Sequence, residues 1–269
     1  MIEMLEYPFF RLALIGVLII SVAAAVIGTY IITRRLVAIC GGVTHACFGG
    51  LGLGYFLGIN PIVMAAVFAI GSSLGVEWMS RRFRVREDSA IAVAWALGMA
   101  IGVLFVFLTP GYVPELNSFL FGNILTVTEG DIWAFASFTV VLLAFMKLYF
   151  KEIVICAFDR DFARVSGLPV TMISTIMTVM VALCIVLTIR LVGVMLLMSM
   201  LSLPMMTAET WVHRFGPLMR FSVLISAVCC VAGLFISAVI DVPASAIIVL
   251  LMAAVFIVSR LIRAAIPRI

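Results

Sequence analysis

The chain has 269 residues, 65% of them hydrophobic and 11% charged, with a formal net charge of +4. A soluble domain carries roughly 25% charged residues, so this composition excludes a water-soluble globular domain and points to lipid as the solvent. The positive charge is spread over short loops and forms no basic aromatic surface, so nucleic acid is not an expected partner.

A helical crossing takes about 20 apolar residues. Run length and flanking charge predict spans over 12–33, 36–58, 61–80, 89–109, 131–150, 170–188, 191–209, 219–240 and 243–260. The chain therefore reads as an all-α, polytopic transmembrane helix bundle of eight or nine spans, forming a single domain over 1–269. Its N-terminus, "MIEMLEYPFFR", is acidic before the first arginine, the wrong pattern for a cleaved signal peptide. The first apolar run is expected to be a retained helix.

The second span contains "CGGVTHACFGGLGLGYFLG", residues 40–58. At 100° per residue, Gly41, Gly42, Gly49 and Gly52 share a helix face with His45, and Gly42, Ala46, Gly50, Gly54 and Gly58 form a second ridge. Glycine weakens a helix by roughly 1 kcal/mol relative to alanine, so these positions need a reason. Small residues let helix backbones approach closely; they also leave room for a substrate. His45 thus faces inward. An ionisable residue inside a membrane is a functional-site candidate, and a neutral imidazole ligates zinc and similar ions. The structural alternative is a hydrogen bond to a carbonyl of a neighbouring helix.

Further along, "TPGYVPELNSFLFGNILTVTEGD" (109–131) has no lysine or arginine. Its apolar middle is too short to span, so a re-entrant or interfacial piece is expected, covered by protein. Asn123 lies there, on the expected outer side. The inner connection "KEIVICAFDRDFARVSGLP" (151–169) carries Ile155, Phe158, Phe162 and Val165 at helical spacing. It predicts one short amphipathic helix ending near Gly167, Leu168 and Pro169. Glu77 is expected to reach water at a helix end, and Pro204 to kink its helix. The six cysteines show no disulfide or zinc spacing and read as small apolar side chains.

With the N-terminus outside and the C-terminus in the cytoplasm, fifteen of the seventeen basic residues fall on the cytoplasmic side; Arg11 and Arg190 are the exceptions. Basic residues resist translocation, so nine spans in this orientation are favoured. The weakest join is at Arg190, where "LTIRLVG" has little turn chemistry before Gly193. An eight-span version, with one segment lying in the interface, is the alternative.

No GxxxxGK[ST] phosphate loop, HExxH motif or GxSxG elbow occurs. Active transport by this chain would need an ATPase on another chain, or an ion gradient. A gradient-driven secondary transporter of metal or another solute is the runner-up reading. It predicts internal repeats and buried carboxylates for coupling ions, and the sequence displays neither.

The stretches "RR…GGVTHACFGG…NP", "FLFGNILTVTEGD", "DRDFARVSGLPV", "LVGVMLLMSMLSLPMMTAE" and "DVPASAIIVLL" occur in this order between Arg34 and Ser259. Together they resemble the permease subunits of metal-cation ABC importers of the zinc/manganese type. The resemblance implies an inner-membrane homodimer, a cytoplasmic ABC ATPase subunit and an extracytoplasmic metal-binding protein. It implies no permanently bound cofactor, the divalent metal being cargo. It implies that the segment around Asp159, Ala163 and Gly167 is a cytoplasmic coupling helix. It also implies that His45 contacts the metal, because it matches the histidine of the family's GDxxSHA motif, with Gly41 and Thr44 beside it along the translocation path; Asn123, by its place in the outer piece, is the candidate for the entry route. Here Gly41 stands where the family has aspartate, and Thr44 where it has serine. Losing that oxygen ligand favours zinc over manganese, which suits carboxylates.

Overall fold

The computed structural model describes residues 6–110, 122, 124 and 127–266. Among them run ten helices: α1 (Pro8–Thr33), α2 (Val37–Leu57), α3 (Pro61–Phe83), α4 (Glu87–Leu108), α5 (Glu129–Leu148), α6 (Phe150–Phe158), α7 (Arg160–Val165), α8 (Val170–Glu209), α9 (Phe215–Ile240) and α10 (Ala244–Ala265). No strand occurs among the described residues. Eight helices are long and apolar enough to cross a membrane; α6 and α7 are not among them.

Local chemistry sets the boundaries. Gly58 ends α2 in the left-handed conformation. Asn60 then caps α3 by accepting a hydrogen bond from the Ile62 N–H at 3.0 Å, with Pro61 at the first helical position. At the start of α5 the Thr128 N–H donates to the Asp131 carboxylate at 3.1 Å while the Asp131 N–H donates back to the Thr128 hydroxyl oxygen at 3.3 Å. Two helix-end donors are satisfied reciprocally, as in a capping box.

The predicted join at Arg190 lies three residues too early. Helix α8 continues through Arg190, and the non-helical backbone is at Gly193 (φ 75°, ψ 173°), a region open essentially to glycine alone. Pro204 lies within the second part of α8, and the non-helical backbone is at Gly193.

The chain divides into two compact units. One comprises 1–32, 119–148 and 191–269. Within it Phe10 meets Phe235 edge-on at 5.3 Å, and the Trp211 indole donates to Ser259 at 2.7 Å. Met205, Ala208 and Leu218 form a buried cluster. Gly122 lies so close to Val192 and Gly193 that a Cβ there would overlap their backbone.

The other unit comprises 33–118 and 149–190. Here α2 is the central element, packed on α4 and on α3. Its glycines make this packing possible. A Cβ at Gly42 would overlap Ile91, and one at Gly52 would overlap the Gly102 carbonyl, both on α4. From the α4 side, Gly98 sits on Ala46 and Gly102 on Phe48. Gly50 and Gly54 press on Met64 and Pro61 of α3. The α2 glycines thus serve close backbone packing on two faces.

Candidate ion path and coupling segment

His45 projects from the middle of α2 and is half-buried. Its ring stacks on Trp95 of α4, with centroids 4.3 Å apart and planes 8° from parallel. Phe48, one turn along α2, lies at 5.8 Å and 21°. The Nδ1 atom is buried and has no hydrogen-bond partner; the neighbouring Thr44, fully buried, likewise leaves its Oγ1 unpaired. Buried polar atoms are normally satisfied, so two adjacent orphans mark this stretch of α2. The expected alternative, a hydrogen bond from the imidazole to a helix carbonyl, is not made through Nδ1.

Gly41 is buried on α2, one turn before His45. Asn123 lies outside the described residues. Cys40 and Cys47 are buried free thiols, and the Cys47 thiol is spent on the Val43 carbonyl at 3.1 Å. Among the described residues no group of three or more His, Cys, Asp or Glu could hold a metal ion. Among the described residues His45 therefore stands outside any such group, with an aromatic wall on one side.

The 151–169 connection differs from the single amphipathic helix its periodicity predicts. It folds as α6 and α7, broken at Asp159, whose backbone is extended (φ −144°, ψ 100°). The Asp159 carboxylate accepts from the backbone N–H groups of Asp161 and Phe162 at 3.0 and 2.9 Å. Aspartate favours this capping role over a helix interior, so the break is local chemistry. Ala163 is fully buried. Gly167 ends α7 at φ 76°; its N–H donates to Arg164 and that of Leu168 to Ala163, at 3.1 and 3.0 Å. That is a Schellman closure, stopped by Pro169. Asp159, Ala163 and Gly167 thus shape the segment. The side chains it presents outward are Phe158, Phe162 and Val165, at 65, 58 and 89% exposure.

Three residues that sequence reasoning did not bring together meet at one end of this unit. Glu87, in the first turn of α4, accepts from Arg160 at 3.0 Å and lies 3.7 Å from Arg34. Arg34 is nearly buried, with 7% of its side chain exposed. A second carboxylate, Glu77 of α3, accepts hydrogen bonds from Ser174 at 2.5 Å and from Thr175 at 3.4 Å, and pairs with Arg81. Protein groups satisfy it where its position at a helix end suggested water. Burial pushes the Cys156 thiol of α6 above its ordinary range, while Arg34 pulls the other way.

The profile of the ABC 3 transport family matches residues 6–263. An uncharacterized membrane protein of Synechocystis is 34% identical, covering 96% of this chain and 92% of that protein. The manganese transport system membrane protein MntC of Halalkalibacterium halodurans is 27% identical, covering 94% of this chain and 87% of that protein. Among solved structures, PsaBC from Streptococcus pneumoniae in complex with Fab matches with a TM-score of 0.83 at 26% identity, over 95% of this chain and 92% of that one. The profile match spans nearly the whole sequence and the relatives align over almost all of it, so the chain belongs to the ABC 3 transport family.

Proposed function

We propose that this chain is the permease of an ATP-driven divalent-metal importer, with His45 as the ion's contact inside the membrane. Membership of the family makes the chain an integral membrane transport component. The observation that carries the finer reading is the His45 imidazole within a spanning helix, its Nδ1 unpaired beside the unpaired Thr44 hydroxyl. One imidazole cannot hold an ion alone. A homodimer, with the helix of a second copy facing the first across the path, supplies the second donor. Gly41 and Thr44 line the same stretch, and Asn123 is assigned to the outer approach.

Zinc is the ion proposed first, because an imidazole with no carboxylate one turn away suits it better than it suits manganese. Manganese is the competitor, since relatives of this chain are named as manganese transport proteins. ATP hydrolysis is assigned to a cytoplasmic ABC ATPase docking on Phe158, Phe162 and Val165. An extracytoplasmic metal-binding protein delivers the ion. The N-terminus is placed outside and the C-terminus in the cytoplasm, with the two parts of α8 on either side of Gly193 crossing separately. The deciding experiment is reconstitution into vesicles with the companion ATPase and binding protein, followed by uptake of zinc and manganese. Uptake that needs ATP supports the proposal. Uptake driven by a proton gradient without ATP overturns it.

A further inference from the structure

We infer that Glu87 is the handle through which the coupling segment moves the helix pair that carries His45. The inference rests on the ATPase docking proposed above on Phe158, Phe162 and Val165, which makes α7 the coupling segment. Arg160 is the first residue of α7, and its guanidinium donates to Glu87 Oε1 at 3.0 Å. Glu87 opens α4, and Arg34, three residues before α2, approaches the same oxygen at 3.7 Å. One carboxylate therefore ties α7 to the start of α4 and to the chain just before α2. A carboxylate at a helix N-terminus is also held by the helix dipole, so Glu87 is anchored on the α4 side.

The α2–α4 contact passes that displacement on. At the crossing, Gly52 of α2 and Gly98 and Gly102 of α4 lie against the backbone of the facing helix and Gly42 lies against the Ile91 side chain, with no room for a Cβ at any of them. At the first three, backbone lies on backbone with no long side chain between to absorb shear. Interiors packed this closely transmit strain instead of deforming smoothly. Trp95 follows Glu87 by eight residues, about 12 Å along α4, and carries the indole against which His45 lies. A pull on Arg160 thereby reaches the His45 ring through two ion pairs and one interlocked helix pair. Glu87 acts here as a positioning residue, through Arg160 and Arg34.

The test is a double-mutant cycle in the reconstituted transporter, reading zinc ions moved per ATP hydrolysed. Glu87→Gln and Arg160→Gln are each expected to lower that ratio about fivefold or more, the scale of ordinary intersite coupling. Co-purification of the ATPase and continued ATP hydrolysis are expected in both. The double variant is expected to be no worse than the weaker single, because both remove the same link. An unchanged ratio in Glu87→Gln overturns the inference, and so do losses that multiply in the double variant. Should Glu87→Gln fail to assemble, Arg160→Gln decides alone: a wild-type ratio overturns the inference and a fallen one supports it. Phe162→Asp separates the underlying reading. If it leaves ATPase capture intact, the docking assignment falls, whatever the ratio in the Glu87 and Arg160 variants.

Discussion

The imidazole of His45 lies parallel to the indole of Trp95, at 4.3 Å between centroids. The stack fixes the plane of the one imidazole in α2. His45→Ala is expected to reduce metal uptake to background while ATPase capture stays normal. Trp95→Ala frees the ring, and since an aromatic pair contributes about 0.5–1.5 kcal/mol, uptake is expected to fall severalfold. Trp95→Phe keeps a flat wall and is expected to stay near wild type. Equal losses in the Ala and Phe variants would show that the wall's shape is irrelevant.

The glycine contacts of α2 are separable by position. Gly50→Ala drives a methyl into the Met64 backbone, and overpacking of this kind destabilises by about 1–3 kcal/mol. Gly71→Ala on α3 meets open space and is expected to leave stability unchanged or slightly higher. Thermal unfolding of the two variants in detergent compares them directly. A Gly50→Ala melt that matches wild type would contradict the close approach of α2 to α3.

Gly193 and Gly167 test two left-handed positions. Gly193→Ala places a Cβ where φ is 75° and ψ 173°, with expected strain of about 1–3 kcal/mol. Lower folded yield is the readout. Gly167→Val puts a β-branched side chain at φ 76° without any steric neighbour, so the strain is confined to the end of α7. ATP hydrolysis without matching metal uptake is the expected phenotype; normal stoichiometry would detach this cap from coupling.

Phe162→Asp replaces an exposed ring of α7 by a charge. Loss of the ATPase during affinity purification is expected, with the permease itself folded and monodisperse in detergent. Ala163→Asp forces a charge into a fully buried position. Burying an unpaired charge is severe, so misfolding is expected there. The contrast separates the outward face of α7 from its inward one.

Much of this was legible in the sequence, and the limits are physical. Apolar run length recovered the eight long helices, with 170–188 and 191–209 joined in α8, because a bilayer imposes a fixed thickness on helices. Gly167 before Pro169 marked the end of α7 because that chemistry is local. The break at Asp159 was local too, yet the apolar spacing of Phe158, Phe162 and Val165 masked it. Gly193 carries no neighbouring turn residues, and charge placement drew the join to Arg190 instead. His45 was visible as an oddity in an apolar run. Its partner Trp95 was not, since nothing in α4 alone says which face meets α2. The Glu87 cluster escaped for the same reason: Arg34 and Arg160 lie far from it in sequence, and only the packed unit brings them together.

The outward trio on α6 and α7 has a practical corollary. Phe158, Phe162 and Val165 project from a stretch outside the spanning helices, and grouped apolar surface of that kind is adhesive in water. On the docking and orientation proposed above, a copy synthesised without its ATPase exposes a sticky knob to the cytosol, so surplus subunits are expected to clump and be degraded. Co-expression should raise recovery for that reason alone, before any question of transport arises.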